Sequence, residues 1–320
     1  MFTRKISVLI VSMGLVLCAS CGGGGGGGAA PAPTPTPPPN PMALPITADN
    51  AQDITEVVLE SVIATIDIVD FADVVGLPAL GSSNQGIAKL TVRDIYIQIT
   101  SCDTGEVTVT WNDADDNLEL STGDTLDADF DMCFLADSGT TLDGAVSFTN
   151  IVVVGEPEFV TPWRLAMTFS FDNLTGMDSS GTSIIDGSLN VDIASDDNVV
   201  IELSVSTPAL TAQDSGMSVT LSDYLLTQLI NVSTSEQRIS ADGTLTSTEL
   251  EGSVSFETQQ DFVIFGDDNP SSGQMLIADA NSSVLVTVLD NLSVQLEIDL
   301  DRDGTIDQTI VVTWTELDVD

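Results

Sequence analysis

Residues 293–314 read SVQLEIDLDRDGTIDQTIVVTW, and this stretch decides the fold. Val294, Leu296 and Ile298 alternate with polar residues, and Ile310, Val312 and Trp314 recur at the same step of two. A period of two puts every second side chain on one face of a β-strand. Between the runs lies Asp303-Gly304, a pair that favours tight hairpin turns because glycine takes positive φ without steric cost. The stretch predicts a hairpin with a short acidic connection.

The same period runs back through most of the chain. Leu90, Val92, Ile95, Ile97 and Ile99 predict one strand; EVTVTW, GAVSFTNIVVV, RLAMTFSF, GSLNVDI, VVIELSV, GSVSFETQ and VLVTVL predict others. Polar clusters such as DSGTTLDG, DSSGTSIIDG and ISADG separate them. The expected total is about 12 to 14 strands joined by short turns, which pair antiparallel with their sequence neighbours. Asp-Gly steps at 143–144, 186–187 and 242–243 are unevenly spaced, which argues against a repeat architecture. Residues 217–231, MSVTLSDYLLTQLIN, fit either a strand or a short helix. Only about 47–75 has a clear helical pattern, with Ile54, Val57, Val58, Val62, Ile63, Ile66 and Ile68 mostly three or four apart and Thr47 or Asp49 as the expected cap. The fold class is mainly β: a large antiparallel meander, curved, sandwich-like or barrel-like, with one N-terminal helix. A lipid-facing barrel carries aromatic girdles, and 11 Phe, 3 Trp and 2 Tyr are too few for them.

Charge and composition exclude several function classes. Seven Lys and Arg face 49 Asp and Glu, a net charge of −42. Such a field repels phosphate backbones and anionic headgroups, so nucleic acid is not an expected partner. There is no histidine. Ser-His-Asp and Cys-His catalysis, His-ligated zinc and histidine pH switching are therefore absent.

The chain opens MFTRKISVLIVSMGLVLCASC. Arg4 and Lys5 precede an apolar run, Ile6 to Leu17, that is short for a membrane span and right for an export signal. Ala19 and Ser20 before Cys21 resemble the lipobox of bacterial lipoproteins, with Cys18 where leucine is usual. That resemblance implies acylation of Cys21, and Gly22 after it implies the outer membrane. Gly22 to Gly28 and PAPTPTPPPNP (31–41) then form a tether, whose proline-rich part extends over roughly 34 Å as polyproline II. The alternative is a secretory signal cut near Ser20 and followed by a linker. The expected organisation is a signal peptide at 1–20, lipidated Cys21 with its tether at 21–44, and one β domain at 45–320. The protein is expected in the bacterial cell envelope, periplasmic or surface-exposed, held to the membrane by its lipid. Cys102 and Cys133 then remain as a pair that is expected to bond in an oxidising compartment; two buried free thiols are the other possibility.

Two acidic connections have the oxygen spacing that a hard cation needs. Residues 113–124 offer Asp113, Asp115, Asn117, the Glu119 carbonyl, Ser121 and Asp124 at EF-type positions, but Leu118 stands where glycine is usual. Residues 299–310 offer Asp299, Asp301, Asp303, the Thr305 carbonyl and Asp307, with Gly304 well placed and Ile310 unable to ligate. Both sit between strands, so neither is an EF-hand. Each is a candidate for structural calcium, and each is also readable as an acidic turn with no ion.

The glycine-tract start, ITADNAQ, SCDTGEVTVTWNDADDN with LSTGDTLDADFDMC, and LEIDLDRDGTIDQTIVVTWTEL resemble a group of uncharacterised proteobacterial lipoproteins. The resemblance implies an acidic all-β domain and brings no activity with it. The leading expectation is a non-enzymatic binding or scaffold domain, stabilised by calcium, with an unknown protein partner. The alternatives are a carrier of a lipid or other apolar ligand, and a hydrolase built on two of the many carboxylates.

Overall fold

Residues 293–314 do form a hairpin. Ser293–Asp299 and Gln308–Thr313 pair antiparallel, with Val294 opposite Val312 and Leu296 opposite Ile310. The computed structural model describes residues 44–74, 102–117, 120–136, 138–156, 160–179, 181–214, 216–266 and 269–317. The expected strand at 90–99 and the segments around Cys21 lie outside them.

Among the described residues thirteen strands follow one helix, α1 (Ala51–Val74). They are β1 (Thr104–Asn112), β2 (Thr125–Leu135), β3 (Thr140–Glu156), β4 (Val160–Asp178), β5 (Gly181–Ser195), β6 (Val200–Asp214) and β7 (Met217–Asn231). Then come β8 (Glu236–Ser247), β9 (Gly252–Phe265), β10 (Ser272–Ala278), β11 (Ser283–Asp290), β12 (Ser293–Asp299) and β13 (Gln308–Thr313). A 3-10 turn, Trp314–Leu317, closes the described chain. The strands lie in one sheet in strict sequence order. Among the described residues β1 and β13 pair with β2 and β12 alone, so the meander is open. Alternation of connections follows: the turns after odd-numbered strands gather at one end of the sheet, and those after even-numbered strands at the other.

Residues 217–231 are strand, and the reason they look helical is a bulge. Buried Val219 and Leu221 are followed by a three-residue step to Tyr224, after which Leu226, Gln228 and Ile230 resume the period of two. Asp223, at φ 49°, is the extra residue, and the register to β8 shifts between Ser222 and Leu225. A bulge inserts one residue and lets the inward face continue beyond it. The same device at Asn150 carries β3 from Phe148 to Ile151, and at Asn173 carries β4 from Phe171 to Leu174.

Helix α1 lies against this inward face. Ala51, Ile54, Val58, Leu59 and Val62 are buried, the i, i+3, i+4 stripe of a helix with one apolar side. Three hydroxyls share that stripe, and each donates back along the helix: Thr55 to the Ala51 carbonyl, Ser61 to Val57 and Thr65 to Val62, all at 2.7 Å. Buried polar groups are thus satisfied within the helix itself. The chain turns into it at Thr47, one of the two expected caps: the Thr47 carbonyl accepts from Ala51 N at 3.0 Å, and Asn50, three residues on, reaches back to accept from Thr47 N at 2.7 Å, as in a capping box. Among the described residues no helix is long and apolar enough to cross a membrane.

Candidate metal centres

Cys102 and Cys133 form a disulfide, with Cα atoms 5.2 Å apart. It fastens the segment before β1 to β2. The connection β1–β2, residues 113–124, is the first acidic loop, and β12–β13, residues 300–307, is the second. They follow an odd- and an even-numbered strand, so they stand at opposite ends of the sheet and cannot share one ion.

In the first loop, carboxylate oxygens of Asp113, Asp115 and Asp124 lie within 4.8 Å of one another. Asp124 is fully buried and organises the loop: it accepts from Ala114 N and Ser121 N, both at 2.8 Å, and from Ser121 Oγ at 3.2 Å. Asp113 and Asp115 are nearer solvent and both accept from Asn117 N, at 3.3 Å each. Asn117 turns its amide nitrogen onto Asp115, at 3.0 Å. The loop is stitched to β3 by Gly123 N on the Ile151 carbonyl and by Thr122 Oγ1 on Val153. Glu119 lies outside the described residues.

The second loop repeats the plan. Asp299, Asp301 and Asp307 converge within 4.8 Å. Asp299 is the buried member and Asp307 closes the loop, accepting from Leu300 N at 2.8 Å. Asp303 stands apart from the trio and accepts from Thr305 N at 2.7 Å. Burial raises the Asp299 pKa, but the N–H groups of Gly304, Asp301, Arg302 and Asp303 outweigh it and hold the carboxyl below its ordinary value. It is ionised at neutral pH, as a ligand to a hard cation must be. A left-handed residue stands fourth in each loop, Asp116 (φ 56°) and Arg302 (φ 54°), with Gly123 (φ 100°) added in the first and Gly304 (φ 87°) in the second.

Sequence reading missed the residue that ties this loop to the rest. Asp279, in the β10–β11 turn, is buried; it accepts from Ser282 N at 2.7 Å and from Ile46 N at 3.2 Å. Arg302 reaches across from the acidic loop and donates to the Asp279 carbonyl at 2.7 Å. The chain entering α1 is therefore held by the same turn that the second loop grips. Nothing local marks Asp279, because Ile46 is 233 positions away.

A furrow of about 300 Å³ crosses the outer face of β1–β4, bordered by Thr110, Asp127, Asp129, Ser147, Ser170 and Asp172. The arginines among the described residues are committed elsewhere: Arg164 to Asp192, Arg238 to Glu236 and Arg302 to Asp279. No family model, curated protein or solved structure matches the chain.

Proposed function

We propose that the chain is a lipid-anchored envelope protein whose β domain is a non-enzymatic binding or scaffold module, clamped at its two ends by calcium. The observation that carries the reading is the pair of carboxylate trios, each built from one buried and two more exposed aspartates in a hairpin connection. Three carboxylates within 4.8 Å repel one another, and a divalent cation relieves that repulsion while fixing the turn. Calcium suits oxygen donors in irregular loops better than magnesium, which demands a tight octahedron. Acylation of Cys21 supplies the membrane attachment, and the Gly/Pro tether lets the domain stand clear. The carrier reading is less favoured because α1 occupies the apolar face on which a carried ligand would lie.

The test is thermal melting of the full chain in EDTA, in millimolar calcium and in millimolar magnesium. Calcium at about a hundred times its Kd adds about 2.7 kcal/mol per site, which raises Tm by roughly 5 °C in a domain this large. Asp113→Ala with Asp115→Ala should remove one part of the rise, and Asp301→Ala with Asp307→Ala the other. No response to either ion would make both loops plain acidic turns, and an equal response to magnesium would overturn the assignment to calcium.

A further inference from the structure

The turns after β5, β7, β9 and β11 lie side by side at one end of the sheet, and they are hydrogen-bonded to one another. Val232 N donates to the Val199 carbonyl at 3.0 Å, Gly266 N to Ser235 at 3.1 Å, and Asn269 Nδ2 to Asn291 at 3.4 Å. They form one continuous rim. Along it stand Val199, Val200, Val232, Phe265, Leu289 and Leu292, between 39% and 68% exposed. At the other end, apart from Leu300 and Ile306 in the acidic loop, the described turns expose no large apolar side chain. Exposed apolar residues in or beside consecutive turns are not demanded by folding, since they pack against nothing.

From this rim we infer a membrane-contact edge that seats on a zwitterionic lipid surface. Size argues against a protein partner. Eight strands at ~4.8 Å and a single sheet's thickness of ~10 Å give a ridge of roughly 400 Å², about half of what each side of a stable protein interface buries. A fluid bilayer accepts a narrow ridge without a complementary groove, and binding there scales with the apolar area immersed. Charge decides which lipid. Net −42 repels a second copy and repels anionic headgroups alike. Asp196, Asp197 and Asp290 stand on the rim; Asp196 is exposed, and the carboxylates of Asp197 and Asp290 accept N–H bonds from Val199, Val200, Leu292 and Ser293 in their own turns. Those acids rest at headgroup level while the tips immerse. The entering chain lies at the other end, where Ile46 meets Asp279, so rim contact is separate from any N-terminal attachment.

The experiment uses the full chain carrying Cys21→Ser, which blocks acylation, and the same chain with Val232→Ser, Phe265→Ser and Leu292→Ser. Both share residues 1–44, so the ratio of their binding reads the rim. Co-sedimentation with phosphatidylcholine vesicles should be at least roughly tenfold weaker for the triple variant, and weaker for the parent on phosphatidylglycerol vesicles. Equal binding of the two proteins, no binding by the parent, or preference for phosphatidylglycerol would overturn the inference. Self-association of the parent that the triple variant lacks would overturn it in favour of a second copy. Deuterium uptake of the parent keeps the test independent of the variant's folding. Vesicles should slow exchange in the turns at 199–200, 232–235 and 289–292 but not at 248–251, and unchanged uptake at the rim would also overturn it.

Discussion

The hydroxyls of Thr65 and Tyr224 lie 2.5 Å apart and join α1 to β7 across 159 positions of sequence. Thr65 gives its one proton to the Val62 carbonyl, so Tyr224 is the donor between them. Tyr224→Phe keeps the ring's packing and removes that bond, for an expected loss of about 1 kcal/mol. Burial pushes the phenol above its ordinary pKa, with the Thr65 bond opposing the shift. A raised acid contributes stability below its unfolded value, near 10, and loses it as pH rises towards the folded value. Urea titrations at pH 8 and 11 should show that loss in the parent and not in Tyr224→Phe.

Asp124 and Asp115 separate the fold of the first loop from the proposed metal binding. Asp124→Ala strands the N–H groups of Ala114 and Ser121, and the expected loss is about 2–4 kcal/mol in EDTA as well as in calcium. Asp115 is exposed. Asp115→Ala should stay within about 0.5 kcal/mol of the parent in EDTA and lose the calcium-dependent rise from this loop. Parallel melts in the two buffers distinguish the roles.

Reduction of Cys102–Cys133 opens a loop with a sequence separation of 31 residues. In the chain-entropy account that is worth about 3–4 kcal/mol. A reducing agent, or Cys133→Ala, should lower Tm by several degrees, and amide exchange should accelerate first in β1. That strand pairs only with β2 among the described residues.

Asp299 sets an acid-side dependence. Its depressed pKa means that its contribution is complete above the unfolded value, near 3.9, and disappears as pH falls through the lower folded value. Denaturation midpoints between pH 5 and 2.5 should fall less steeply in Asp299→Asn than in the parent. If the two curves run parallel, the carboxylate is not held by its four N–H donors.

The meander was legible because polar turns punctuate alternating runs, and β12–β13 shows both signals in 22 residues. The disulfide was legible because two cysteines remained. The two carboxylate clusters were only half legible: spacing brought out Asp113, Asp115 and Asp124, yet nothing in it said that Asp303 would turn to Thr305 while Asp299 was buried. The assignment of 217–231 was undecidable, because a bulge at Asp223 makes one three-residue step that a helix would also make. Asp279 and the apolar rim were invisible, since both arise from residues brought together by the completed sheet.

Strict sequence order also dictates a timetable. Each hairpin meets its neighbour as soon as the chain supplies it, so pairing can zip from β1 onward with little loop entropy at each step. The lead into α1 is different: Ile46 waits for Asp279 and Ser282, and Gln52 for the Glu316 carbonyl. The first described segment is the last to be seated. During folding the inward face therefore stays uncovered until the final hairpin closes, and that interval is when aggregation threatens.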